Sequence, residues 1–289
     1  MEEEMKYFMP DNLQEALEIM DRYDVIPLAG GSDLMVSGFA GTGVTATFPK
    51  SVMFLANINE MRGITKREDG SVVIGALSTS REIASSELVH PLIRDAASRM
   101  GAIALRNSAT IGGNIGNASP KGDTPQPLIL LDSRVVLTSV NGSREMLVDD
   151  FIIAAKKTKR EKNELITAVI VPPSNFTHIF FRKIGMRRSN AISKLTLSAA
   201  AEIRDGVVVD FRASSGAAGP KVMRGRDAEL ILVGKKVEEL AGVKEEFLDA
   251  WNNVISPHAM AVYRRNTTRR MLNYFIDELI AGHPEGRID

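Results

Sequence analysis

Apolar residues recur at helical spacing at the start of the chain, where Leu13, Ala16, Leu17 and Met20 follow the polar caps Asp11 and Asn12 and predict an opening helix. The period then changes. Ile26-Pro27-Leu28-Ala29 and Val52–Ala56 read as short buried strands, with a helical turn starting at Asp33 between them. Ile64–Arg67 and Val72–Gly75 read as a hairpin around Glu68-Asp69-Gly70-Ser71. Ser80 is placed to cap a helix reaching Ser85-Ser86, and Pro91 to start a second running to Met100. Asp123-Thr124-Pro125 predicts the capped start of a third over Gln126–Leu131. Val135–Val140 and Arg144–Val148 flank Asn141-Gly142, the strongest hairpin signal in the chain.

A basic stretch, Lys156-Lys157-Thr158-Lys159-Arg160, leads into the apolar run Leu165–Val171 and the Pro172-Pro173 break. Beyond it, strands are predicted over Phe176–Lys183, Leu195–Arg204 and Val207–Ser214, the last two joined by Asp205-Gly206. Helical patterns follow over Ala228–Val233, Lys244–Asn253 and Pro257–Ala281. Strands followed by helices predict an α+β fold, divided into a unit over residues 1–170 and a smaller one over 171–289. No repeat period suggests a solenoid.

Composition narrows the chemistry. A chain of 289 residues with 44% hydrophobic content can bury a sizeable core, which excludes the disordered and fibrous classes. The 36 basic and 36 acidic residues cancel, so no global field draws it to nucleic acid or an anionic membrane. Cysteine is absent, which excludes disulfides, a thiol nucleophile and any thiolate-held iron–sulfur cluster or zinc in this chain. An organic cofactor must carry any electrons it handles. The acidic Met1-Glu2-Glu3-Glu4 and the lack of a long apolar run predict neither a secretory signal nor a membrane span, and a cytoplasmic location.

Two glycine pairs carry the clearest functional signal. Ala29-Gly30-Gly31-Ser32-Asp33-Leu34 and Thr110-Ile111-Gly112-Gly113-Asn114 each read as a loop offering consecutive backbone N–H groups to an anion, and together they suggest a diphosphate held between them. Neither matches the dinucleotide fingerprint or a triphosphate loop. Ser32 and Asp33 could close an Asx-type turn, or the hydroxyl could donate to a phosphate oxygen. Asp123 reads first as a helix cap, with a ligand role open because the second loop is near. The four histidines show no ligand spacing, so no metal site is expected. Arg182-Lys183 with Arg187-Arg188 reads as a solvated turn or interface, a local anion contact being the sharper alternative. The run Tyr263-Arg264-Arg265 to Arg269-Arg270 reads as the wet face of an amphipathic helix. No side chain stands out as a catalytic acid, base or nucleophile.

Taken together, Leu28–Leu34, the block from Arg106 to Pro120, Asp123-Thr124-Pro125 and Leu131-Asp132 resemble the FAD-binding, or medium, subunit of molybdenum hydroxylases of the xanthine dehydrogenase and carbon monoxide dehydrogenase type. Gly216-Ala217-Ala218-Gly219-Pro220, Arg224, Glu229 and Gly234-Lys235 resemble the opening of that family's C-terminal domain. The resemblance implies a two-subdomain FAD domain of the vanillyl-alcohol-oxidase (PCMH) type and a C-terminal domain of the carbon monoxide dehydrogenase flavoprotein type. It implies FAD held without a covalent link. Leu28, Ala29, Gly30, Gly31, Ser32, Asp33 and Leu34, with Thr110, Ile111, Gly112, Gly113 and Asn114, would hold the diphosphate and ribityl oxygens. Asp123 would accept from cofactor hydroxyls, Ile166 would pack on the cofactor, and Lys183 would lie near it. Met100 stands where some relatives have an aromatic side chain, and the Ser37–Lys50 link looks longer than usual.

The implied partners are a molybdopterin-binding large subunit and a small subunit with two [2Fe-2S] clusters, with NAD or another species as electron acceptor. The lack of cysteine argues against relatives whose flavin subunit carries an extra iron–sulfur cluster. Two rivals are a self-contained flavin reductase of the same fold and a flavin-free scaffold subunit.

Overall fold

The computed structural model describes residues 5–38, 47–187 and 190–289; most of the Ser37–Lys50 link and Arg188 lie outside them. Strands β1 (Tyr7–Phe8), β2 (Val25–Leu28) and β3 (Ser51–Phe54) form a parallel sheet in the order β1-β3-β2, crossed by helices α1 (Leu13–Arg22) and α2 (Leu34–Gly38). Helix α1 forms as its pattern predicts. The Asn12 side chain caps it by accepting from the Glu15 amide, and Ala16, Leu17 and Met20 are buried against Met53, Leu55, Ile58 and Met61.

An antiparallel sheet comes next. Strands β4 (Ile64–Lys66) and β5 (Val72–Gly75) precede helices α3 (Ser80–Ser85), α4 (Pro91–Ser98), α5 (Ile103–Ser108), α6 (Ile111–Gly116) and α7 (Pro125–Leu130). Then come β6 (Arg134–Ser139), β7 (Gly142–Leu147), α8 (Val148–Phe151), the small hairpin of β8 (Ile152–Ala154) and β9 (Lys157–Thr158), and β10 (Leu165–Val171). The sheet order is β4-β5-β10-β6-β7, so the apolar run at residues 165–171 is the central strand. That position explains its near-continuous hydrophobicity.

The third sheet is built from β11 (His178–Ile184), β12 (Leu195–Arg204), β13 (Val207–Gly216), β14 (Met223–Arg224) and, after helices α9 (Arg226–Glu229), α10 (Leu240–Val254) and α11 (Ala261–Ile280), β15 (Gly286–Ile288). Its order is β14-β13-β12-β11-β15. Both faces are covered, which is why β12 alternates small and apolar residues with almost none exposed. Leu195, Leu197, Ala199 and Ala201 share one core with Phe211, Phe247, Trp251 and Phe275; on the other face Ile179, Phe181 and Ala200 join the core of the second sheet. Gln126 of α7 crosses between the sheets, its amide nitrogen donating to the Ser214 carbonyl at 2.6 Å and its carbonyl accepting from the Ser198 hydroxyl at 2.9 Å.

The fold is α+β, as the sequence predicts, with local corrections. Thr79, not Ser80, caps α3: its hydroxyl accepts from the Glu82 amide while the Glu82 carboxylate accepts from the Thr79 amide. Asp123 does not cap α7, because its carboxylate is turned onto Lys183 and Ser193. The helix predicted over Ala228–Val233 is the single turn α9 starting at Arg226. Arg269 is more than a wet-face residue, since it bridges to Asp249 and Glu245 on α10. His90 is a buried structural histidine: burial pushes it down to about 4, and its Nδ1 accepts from the Leu92 amide.

Candidate functional site

A cleft of about 300 Å³ opens where β2 ends, lined by all of Leu28–Leu34 on one side and by Thr110, Gly112, Gly113 and Asn114 on the other, with Ile166 between them. That volume lies at the lower end of the range for ligand pockets. Two glycines make the first wall possible. Gly31 has φ +68, in the left-handed region that side chains avoid, and a Cβ on Gly30 would stand 1.7 Å from the Ser108 carbonyl oxygen. The tight turn leaves the amides of Gly30, Gly31, Ser32 and Asp33 with no acceptor among the described residues. A run of such donors beside a cleft is suited to an anion.

The second glycine pair corrects the sequence reading. It is not a loop with open amides but the first turn of α6, capped by Thr110, whose hydroxyl accepts from the Gly113 amide at 3.1 Å. The amides of Ile111 and Gly112 donate to the carbonyls of Ser78 and Ala76, and that of Asn114 to Thr110. The glycines serve close packing instead: a Cβ on Gly112 would lie 2.7 Å from that of Ala76. Ile111 points into the core, 1% exposed, and does not line the cleft. This wall therefore contributes shape and side chains, while the first contributes the donors.

A polar latch ties the walls. Asp33 accepts from the Asn117 amide nitrogen at 2.7 Å, and the Asn117 carbonyl accepts from the Lys156 ammonium. Lys156 holds φ +61, a left-handed backbone, and its amide donates to Ala118. Asn117 falls in the Arg106–Pro120 block and Lys156 in the basic stretch, but nothing in either segment pairs the two. The latch forms only when residues far apart in the chain converge.

Asp123 and Lys183 come together beside the cleft rather than in its lining. The ammonium donates to Asp123 at 2.7 Å and to the Arg99 carbonyl at 2.9 Å, and the Ser193 hydroxyl donates to the other carboxylate oxygen at 3.0 Å. The pair is linked to the cleft through Asn114, whose side-chain oxygen accepts from the Thr124 hydroxyl at 2.7 Å. Both side chains are under 10% exposed, so the reading of Lys183 as part of a solvated turn does not hold. Met100 lies outside the lining too, its sulfur taken by the Ser80 hydroxyl. Arg160, from the stretch read as a basic linker, is a lining residue that sequence reasoning missed.

Burial pushes the Asp123 carboxyl above its ordinary value, and Lys183 and Ser193 offset part of that. A carboxyl whose folded value lies above the unfolded 3.8 binds more protons folded than unfolded, so its contribution to stability falls as pH rises past that value. Lys183→Met removes the offset. The variant's deficit against the parent chain should grow between pH 4 and 7 in urea denaturation; a constant deficit would show that the Asp123 charge does not depend on Lys183.

Among the described residues no cluster of His, Cys, Asp or Glu could hold a metal ion. No helix among them is long and apolar enough to cross a membrane. The cleft walls offer backbone donors and apolar surface, an arrangement suited to holding a ligand.

Residues 3–174 match the FAD-binding domain in molybdopterin dehydrogenase, well over half of the chain. The chain belongs to this family. Residues 180–279 match the C-terminal domain of CO dehydrogenase flavoproteins. The chain is 32% identical over 246 residues to the nicotinate dehydrogenase FAD-subunit of Eubacterium barkeri, covering 80% of each. It is 29% identical to the glyceraldehyde dehydrogenase medium chain of Sulfolobus acidocaldarius over 240 residues, 82% of this chain and 83% of that one. A solved carbon monoxide dehydrogenase chain from Hydrogenophaga pseudoflava superposes with a TM-score of 0.86 at 25% identity, covering 96% of this chain and 97% of that one. The protein is a FAD-binding flavoprotein subunit of the molybdenum hydroxylase family.

Proposed function

We propose that this chain is the electron-transfer subunit of a molybdenum hydroxylase complex in the cytoplasm, taking electrons from iron–sulfur clusters on a small partner and passing them to NAD or another acceptor. The substrate would be oxidised on a molybdopterin-binding large subunit. Bound FAD supplies the redox chemistry; the protein binds and orients it. The lack of cysteine fits this division of labour, since the clusters must then sit on another chain.

The observation that carries the reading is the row of open amides at Gly30–Asp33 facing a glycine-lined wall. Those amides and the Ser32 hydroxyl would hold the diphosphate, with Leu28, Ala29 and Leu34 shaping the turn. Thr110, Gly112, Gly113 and Asn114 would form the facing wall, Ile111 would anchor it from the core, and Ile166 would pack on the cofactor. Asp123 and Lys183 would meet its hydroxyl groups; each keeps spare capacity, in carboxylate lone pairs and a third ammonium hydrogen. We assign these roles to a FAD domain over 1–170 and a C-terminal domain over 171–289.

Titration of the full chain with FAD should give a stoichiometric yellow complex that survives gel filtration, and affinity purification from the native host should bring down a cysteine-rich partner. A folded chain that retains no flavin would overturn the reading.

A further inference from the structure

A second cavity, of about 600 Å³, opens between α4 and the third sheet, and no residue lines both it and the glycine cleft. Its volume lies well within the range of small-molecule pockets. One face of α4 supplies much of the wall. Pro91, Arg94, Asp95 and Ser98 recur there at helical spacing, with the cap His90 four residues before Arg94, while Leu92, Ile93, Ala96 and Ala97 are buried in the core. The segment leading into β11 adds Ser174 and Phe176, β11 adds Ile179, and β15 adds Arg287.

The polar lining has more donors than acceptors. Arg94 is half-buried, and its guanidinium has no hydrogen-bond or ion-pair partner among the described residues. The carboxylate beside it in the chain, Asp95, is taken by Nη1 of Arg287 at 2.7 Å, and Nε of Arg287 pairs with Asp289 at the same distance. With Asp95 set against Arg287, the charge left unbalanced in the lining is that of Arg94. His90 adds a second donor. Its Nδ1 accepts from the Leu92 amide and the ring is neutral at pH 7, so the proton sits on Nε2, which finds no acceptor among the described residues. The Thr177 hydroxyl, by contrast, is committed to the Ala201 carbonyl and the Ile203 amide.

The planar fork of an arginine matches the two oxygens of a carboxylate or phosphate, and partial burial strengthens that attraction over its value in water. The remaining lining decides between bare and organic anions. Ala84, Pro91, Phe176 and Ile179 are apolar, and the Phe176 ring stands 6.4 Å from that of His90 at 87°, so an aromatic wall adjoins the donors. We infer that this cavity is a second ligand site, for a small organic acid whose carboxylate pairs with Arg94 and the His90 Nε2–H and whose apolar body lies against Phe176 and Ile179. Such a ligand would touch α4 in the first half of the chain and β11 in the second.

Benzoate is the probe, with benzamide as its neutral counterpart and inorganic phosphate as an anion without an apolar body. Histidine ring signals of the full chain should be followed by NMR, the His90 signal being the one missing from His90→Gln. Benzoate should move that signal with a dissociation constant of about 1 mM, the strength expected of so small a ligand, and benzamide and phosphate should each bind about tenfold more weakly. Arg94→Met, shown to be folded by circular dichroism, should weaken benzoate about tenfold, and Arg94→Lys, which keeps the charge without the fork, by less. Excess FAD should leave the benzoate affinity unchanged. A His90 signal that benzoate does not move, equal binding of benzoate and benzamide, or parent-like affinity in Arg94→Met would overturn the inference. So would phosphate binding as tightly as benzoate, or displacement of benzoate by FAD, which would put the acid in the first cleft.

Discussion

Gly30→Ala is expected to abolish flavin retention and to cost about 3 kcal/mol of stability, the upper end of what an overpacked methyl group takes from a well-packed site. The added Cβ would lie 1.7 Å from the Ser108 carbonyl oxygen and 2.5 Å from its carbon, both backbone atoms with no rotamer to escape into. Ser108 ends α5 just before the Thr110 cap, so the backbone that must yield is the one that presents the facing wall. The first turn would be driven off the second, and its open amides would no longer face the cleft. Gly31→Ala is the control. Its Cβ meets side chains alone, Met35 at 3.0 Å and Leu28 at 3.7 Å, but φ +68 strains it by about 1 kcal/mol. It should weaken FAD binding and still fold. Thermal unfolding and FAD titration of both variants decide the matter; parent-like affinity in Gly30→Ala would mean that the two walls need not touch.

Arg224→Met is expected to cost about 5 kcal/mol in urea denaturation, the upper end for breaking a buried ion pair. The Arg224 side chain is 4% exposed and serves two carboxylates at once, Glu229 at 2.9 Å and Asp132 at 2.8 Å. It also donates to the carbonyls of Ile129 and Leu130 at the end of α7. Methionine fills the volume but leaves the Glu229 carboxylate, itself 6% exposed, without its counter-ion. Adding Glu229→Gln to Arg224→Met should therefore restore a large part of the loss. If the double variant is no more stable than the single one, the damage lies in the orphaned carbonyls and not in the buried charge.

Where local chemistry decides a structure, the sequence is legible. The Asn12 cap and the periodicity of α1 depend on neighbours within a few residues and form as predicted; the β6–β7 hairpin also forms, but its turn falls on Val140-Asn141, with Gly142 already paired to Ser139. The helix at Ile111–Gly116 escaped because two consecutive glycines disfavour helix, by roughly 1 kcal/mol each, and only the carbonyls of Ala76 and Ser78, more than thirty residues upstream, repay that preference. The strands β1, β14 and β15 are two or three residues long and carry no period; partners make them strands.

The site divides in the same way. The first glycine turn announces itself because φ +68 demands glycine wherever it falls, whereas Arg160 sits among four other residues of a polar run and differs from them only in facing inward. Asp123 could be placed near the cofactor by resemblance to relatives. Its local role as a cap was the wrong one, because Lys183 and Ser193, both more than fifty residues away, outcompete the α7 amides for the carboxylate.

Asp132 accepts from Arg212, Arg224 and Arg226, all belonging to the third sheet and its first helical turn, while its own backbone follows α7 in the body of the second. With the Gln126 bridge and a core that runs without a gap from Leu128 to Ala200, the boundary drawn by ancestry is not a boundary of cooperativity. Neither half can open without stranding the other's charges. The two halves are therefore expected to unfold together in a single transition.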